Sequence, residues 1–182
     1  MIQSAAALFR ERGVHGTSFS DVLEHSGAPR GSIYHHFPGG REQLLREATD
    51  YAGEYIERRL DRGDGDPLAA LDDLFGEYRT NLLASDFRAG CPVVAVAVES
   101  GGDGPDLRDH AMSAFDRWRR ALARSLEAAG VDTARADDLA LVIIATFEGG
   151  LILSRAYRDL APLDVVRREC RGLVQVELEA KR

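Results

Sequence analysis

Cysteine, lysine and long apolar runs are all scarce in this 182-residue chain, and each shortage excludes something. Only Cys91 and Cys170 are present, without paired spacing. That removes a disulfide scaffold or a zinc ribbon and fits a reducing cytosol. The longest apolar run, LALVIIATF at 139–147, is about half of the ~18 residues that span a bilayer. No basic-then-apolar leader opens the chain; MIQSAAALFRERG runs directly into an amphipathic pattern. Together these predict a soluble, cytoplasmic protein with no membrane partner. Lys181 is the only lysine, so nearly every base is arginine, a compositional habit that carries no chemistry.

What the chain does hold is a hydrophobic fraction of 45%, ample for a core, and an acidic balance of −7. The charge is uneven. Residues 1–46 hold five arginines against Glu11, Asp21, Glu24 and Glu42, a net of +1 that leaves −8 for the remainder. Four of the five histidines also fall in that first part. The asymmetry points to a small binding module joined to an acidic body.

Every long segment reads as helix. Residues 2–12 place Ile2, Ala5, Ala6 and Phe9 on one face. Ser18 can cap a helix over 18–26, with Asp21 in its first turn, and Gly27 supplies a left-handed stop. Pro29 is expected to open the next helix and Pro38 to close it. A longer helix follows over 41–60, with Leu44 and Leu45 inward, and RGDGDP (62–67) is a connector. Further helices are expected from Pro67 to Ala84, near 106–129, from Thr133 to Tyr157 and after Pro162, with a loop at 101–105. CPVVAVAVES (91–100) fits helix or strand by pattern, and the lack of alternating strands elsewhere favours helix and an all-α fold.

A short helix, a Gly-containing turn and another short helix over 18–37 form a helix-turn-helix pattern, whose second helix enters a DNA major groove. Val22, Leu23, Ile33 and Phe37 would pack the two helices together and against Phe9 and Leu45. Arg30, Gly31, Ser32, Tyr34, His35 and His36 are then left on or near the outer surface. Arginine can pair with a guanine edge or a phosphate, and Gly31 permits close backbone approach. Ser32, Tyr34 and an imidazole N–H can donate to phosphates or bases. Ser18 and Arg41 stand at helix N-termini, which favour a phosphate.

The stretch AAALFRERGVHGTSFSDVLEHSGAPRGSIYHHFPGGREQLL resembles the N-terminal DNA-binding domain of the TetR family of bacterial transcriptional regulators. The resemblance covers about residues 4–47 and rests on LF-x-E-x-G-x-x-G-T-S and on the G-S-x-Y-x-H-F pattern. It implies that Ser32, Tyr34, His35 and His36 fall where relatives contact DNA, and Arg30 and Arg41 where relatives commonly carry lysine. FPGGREQL, GCPV and EGGLILSRA resemble a subgroup related to the LmrA and YxaF repressors. Relatives usually carry a short basic arm before the first helix, whereas this sequence starts inside it. Loss of such contacts would lower DNA affinity and flatten its salt dependence.

Other readings of the same residues are weaker. Adjacent His35 and His36 point about 100° apart on a helix, so they do not share a metal ion easily, and no HExxH or cysteine pair assists. No metal or cofactor is expected. Tyr34 could cover the apolar side of the turn, His36 could bond backbone, and Ser18 is a cap before it is a phosphate donor. Cys91 lacks an identifiable histidine partner and reads as a small buried residue beside Pro92, so the chain is not read as an enzyme. RGD at 62–64 reads as a turn, GGDG offers too few oxygens for calcium, and EGG at 148–150 fits a pocket wall or close helix packing.

In the body, Phe115 and Trp118 share a helix face that Met112 is expected to extend. Such a stripe is ordinarily core. The resemblance implies a small-molecule cavity there, and the expected lining is Tyr78, Met112, Phe115, Trp118, Phe147, Glu148 and Leu151. Glu148 or Arg155 would be its polar anchor. The last two helices are apolar on more than one face: Leu139, Leu141, Val142, Ile143, Ile144, Phe147, Leu151, Ile152 and Leu153 exceed a single stripe in one, and Leu163, Val166, Cys170, Leu173 and Val174 make a similar stripe in the other. That agrees with the two-fold dimer the resemblance implies, built as a four-helix bundle.

The expectation is an all-α regulator. Residues 1–46 would form a helix-turn-helix DNA-binding domain, and residues 47–182 a ligand-binding and dimerisation domain. Its partners would be a palindromic double-stranded operator, an apolar effector that releases it, and a second copy of itself. The alternative is a ligand-binding helical dimer with weak or lost DNA binding.

Overall fold

A computed structural model describes residues 1–63, 65–99 and 105–180, and its regular elements are all helices. In chain order they are α1 (Ile2–Arg12), α2 (Phe19–Ser26), α3 (Ser32–His36), α4 (Gly40–Asp61) and α5 (Pro67–Ala84). Then come α6 (Pro92–Glu99), α7 (Pro105–Ala128), α8 (Thr133–Tyr157) and α9 (Ala161–Glu179). The ambiguous apolar run at 92–99 is thus a helix, with Val93 and Val96 buried. The calcium-loop reading of GGDG (101–104) and the last residue of the RGD turn lie outside the described residues.

Local chemistry sets the first boundaries. Ser18 caps α2: its hydroxyl accepts from the Asp21 N–H at 3.2 Å, while the Asp21 carboxylate accepts from the Ser18 N–H at 2.7 Å. Gly27 then ends α2 at φ 66°, ψ 13°, a left-handed conformation that a Cβ would strain. Pro29 does not open α3, as the sequence pattern suggested. Its carbonyl instead accepts from both the N–H (2.9 Å) and the hydroxyl (2.6 Å) of Ser32, and the helix starts only at Ser32. Five residues remain for α3, held in place by tertiary packing because an isolated turn of that length is unstable.

That packing is continuous with the main core. Val22, Ile33, Phe37 and Leu44 are buried with Phe9 and Leu45, and Leu23 is partly buried against them. The long α4 packs on α1 at one end and on α7 further along, where the Trp118 indole N–H donates to the Gly53 carbonyl at 2.9 Å. Helices α7, α8 and α9 pack in sequence, and α5 lies against α9. Gly150 permits the close approach of α8 and α9, since a Cβ there would stand 3.0 Å from the Val166 side chain. Of the two readings of EGG, helix packing therefore accounts for Gly150.

By length and composition α8 could cross a bilayer, but half of its apolar stretch is buried inside the chain. The other half is not. Leu141, Val142, Ile152, Leu153 and Tyr157 on α8 are exposed, as are Val165, Leu173 and Val176 on α9. An exposed apolar surface of this extent is unusual for an isolated soluble chain.

Candidate nucleic-acid interface

The capping and packing just described leave one side of the α2–α3 unit to solvent. Arg30, Gly31, Tyr34, His35 and His36 are exposed, Tyr34 at 77%, and Ser32 is partly buried. Arg30 and Tyr34 have no side-chain hydrogen bond or ion pair within the described residues. The His35 and His36 rings meet edge to face with centroids 5.4 Å apart, and the His36 carbonyl accepts from the Gln43 amide at 3.3 Å. Among the described residues no group of three or more His, Cys, Asp or Glu side chains is placed to hold a metal. The surface offers N–H and O–H donors, a guanidinium and an aromatic ring on one small convex edge.

Two of the expected contact residues have other employment. Arg41 is partly buried, and its guanidinium donates to the Val14 carbonyl at 2.6 Å and the Thr17 carbonyl at 3.3 Å. It fastens the start of α4 to the turn between α1 and α2. Ser18 is exposed, but its hydroxyl is shared with Asp21. The Ser18 hydroxyl and then its backbone N–H hold the Asp21 carboxyl below its ordinary pKa, so a negative charge persists beside this helix N-terminus. A phosphate approaching Ser18 meets that charge. Arg41→Ala is expected to cost about 2 kcal/mol, because two carbonyls in a part-buried setting lose a charged donor. Urea unfolding measures it.

The cavity residues divide differently from the expected list. Tyr78 and Phe147 stack edge to face at 4.9 Å, and Phe147 and Trp118 belong to the packed core. Met112 is 59% exposed and does not extend the Phe115–Trp118 face. Each three-residue step falls about 60° short of a full turn, so Met112 lies about 120° from Trp118. Glu148 and Leu151 do line a cavity of about 360 Å³ between α1, α6 and α8, with Phe9, Val94 and Arg155. Phe115 and Glu148 line a second cavity of about 580 Å³ between α6, α7 and α8. Tyr78 reaches a third, of about 300 Å³, with Arg10, Tyr51, Tyr55, Glu77 and Asn81. The sequence pattern gave no sign of that last grouping, since its polar members come from three helices and none forms a motif.

Cys91 is buried beside Glu148, and burial first, then the carboxyl's charge, pushes its thiol well above the ordinary value. No thiolate is available there for nucleophilic chemistry.

The α1–α2 turn is also tied to α6. The His15 N–H donates to the Glu99 carboxylate at 2.9 Å, and the His15 imidazole Nε2 donates to the Glu99 carbonyl at 3.0 Å. Nearby, the Gly90 N–H donates to the Arg10 carbonyl at 2.7 Å. The helix-turn-helix is thus linked through polar bonds to the helix that contributes to all three of these cavities.

An exposed helix-turn-helix on an all-α body defines a DNA-binding regulator of transcription, and comparison with known proteins names its family. Residues 1–48 match the bacterial regulatory proteins of the tetR family, and the chain belongs to that family. Residues 67–169 match the C-terminal domain of LmrA/YxaF-like transcriptional regulators, which places it in that subgroup. It is 50% identical to an uncharacterised helix-turn-helix transcriptional regulator of Mycobacterium tuberculosis, over 98% of this chain and 94% of the relative. It is 31% identical to the transcriptional regulator LmrA of Bacillus subtilis, over 90% of this chain and 88% of that one. A TetR regulator structure from Legionella pneumophila shares the fold, with a TM-score of 0.84, 24% identity and 94% of each chain covered. These relatives are regulators of transcription, not enzymes.

Proposed function

We propose that this regulator is a cytoplasmic, homodimeric repressor that a small apolar effector releases from a palindromic operator. Residues 1–46 read the DNA, and residues 47–182 bind the effector and the second subunit. Helix α4 runs through position 46 without a break, so the division is one of task rather than of a linker. The observation that carries the reading is the outer edge of α3 and of the turn before it, where Arg30, Tyr34, His35 and His36 face solvent together. A two-fold dimer would set two such edges about 34 Å apart, one turn of duplex. The exposed apolar surface of α8 and α9 supports the dimer.

Release requires a ligand that prefers a conformer in which the two edges are wrongly spaced, and DNA that prefers the other. The route is short. A ligand wedged against α6 displaces Glu99, which holds the His15 turn, and Arg41 carries that turn to the start of α4.

Arg30→Ala and Tyr34→Ala are expected to weaken binding to a duplex enriched from a random library by roughly 5- to 150-fold each. Both side chains are exposed, so thermal unfolding should stay unchanged. Fluorescence anisotropy at two salt concentrations measures the loss. Affinity equal to the parent's in both variants would remove α3 from the interface.

A further inference from the structure

Glu148 is a buried carboxyl whose environment is costly for a charge. It lies on α8 with 8% exposure, and neither carboxyl oxygen has a hydrogen-bond partner within the described residues. A buried carboxyl left in this condition demands a physical reason. It also occupies a distinctive place: with Val94, it forms the common wall of the 360 Å³ and 580 Å³ cavities.

We propose that the cavity between α1, α6 and α8 takes an apolar molecule bearing a protonated amine, with the ammonium on Glu148; this rests on the ligand-responsive reading above. The walls beside the carboxyl are Phe9, Val94, Ala95 and Leu151, which suit an aromatic or aliphatic body. The unmet demand is for a donor, because both Glu148 oxygens are cut off from water, and an ammonium reaches them as the adjoining side chains of the wall shift. Cys91 adjoins it, and a thiol donates only weakly.

Burial, rather than the count of charges, favours a cation over an anion. Glu11, Glu99 and Glu148 line the cavity against Arg12 and Arg155. Arg12 is already paired with Asp21 at 3.4 Å, Glu11 with Arg88 at 3.9 Å, and Glu99 with the His15 turn. Arg155 is exposed, with its guanidinium against Gly90, whereas the Glu148 oxygens are buried. A neutral hydroxyl would supply one hydrogen bond to Glu148. An ammonium supplies up to three together with the charge that makes the ionised carboxylate tolerable when buried.

The test uses two probes with one ring system: tryptamine, which carries the ammonium, and tryptophol, which carries a hydroxyl in its place. Calorimetric titration of the full chain at neutral pH is expected to show tryptamine binding at least about tenfold tighter, the range of one charge-assisted bond. Glu148→Gln should abolish that preference and leave tryptophol affinity as it was. Equal affinity of the two probes for the parent protein overturns the proposal without recourse to any variant. So does tryptamine affinity unaffected by Glu148→Gln, or no tryptamine binding at all. The broader reading is judged separately by adding the probes to the operator complex. Tryptamine bound through Glu148 without change in operator affinity keeps the amine site and removes its role as effector site. Operator release by tryptophol as effective as by tryptamine keeps the effector role and removes the amine.

Discussion

The double variant L153D/L173D is expected to be a folded monomer whose operator affinity is at least about 100-fold weaker than the parent's. Leu153 on α8 and Leu173 on α9 are exposed in the single chain, and neither lines the cavities, so their replacement leaves the subunit's core intact. In a two-fold interface each substitution occurs twice. An unpaired charge buried there costs about 3–5 kcal/mol, and each 1.4 kcal/mol is about tenfold in the dimer constant. The effect on DNA follows from geometry. A tethered second reading head sees its half-site at an effective concentration of about 1 mM, whereas a free one at about 1 µM is a thousandfold more dilute. Sedimentation velocity and anisotropy measure the two effects. A variant that still sediments as a dimer would move the interface elsewhere on the chain.

Glu148→Gln is expected to reverse a pH-dependent loss of stability. Burial raises the Glu148 carboxyl from 4.5 to about 7, opposed only by the neighbouring Cys91 thiol. The folded value exceeds the unfolded one, so the associated stability is fully present below pH 4.5 and is lost as pH rises toward 7. The difference of roughly 2.5 pH units corresponds to about 3 kcal/mol. The glutamine cannot ionise. Urea unfolding at intervals between pH 4.5 and 8 should therefore show the variant gaining about 3 kcal/mol on the parent as pH rises. Cys91, just before α6, and Tyr78 on α5 are pushed upward mainly by burial and stay neutral across that range. The partly paired carboxyls of Asp21 and Asp72 shift downward, but both are common to the two proteins and cancel. A difference that does not change with pH would mean that water or another group reaches Glu148.

The two predictions pull apart what the sequence could and could not disclose. Helix boundaries such as the Ser18 cap and the Gly27 stop depend on residues within three positions of each other, and such local chemistry can be read directly. The outward side of α3 was legible for a related reason: Ile33 and Phe37 had to face the core, and His35, about 160° from each on a helix, could not. Arg41 was legible as a base near the DNA-binding unit but not as the clamp on Val14 and Thr17, whose carbonyls lie more than twenty positions away. Met112 misled because a three-residue spacing drifts around the helix.

From residue order alone come the helical class, the reading head and the apolar surplus of the last two helices, because periodicity, capping and composition act within a few turns of chain. Assembly alone decided that Glu148 is buried between two cavities beside little more than the weakly donating Cys91 thiol among the described residues. It also decided that Glu99 holds the turn ahead of the reading head, and that one side of α8 and α9 stays bare. Burial and polar satisfaction belong to neighbours brought from distant parts of the chain, and no local pattern carries their positions.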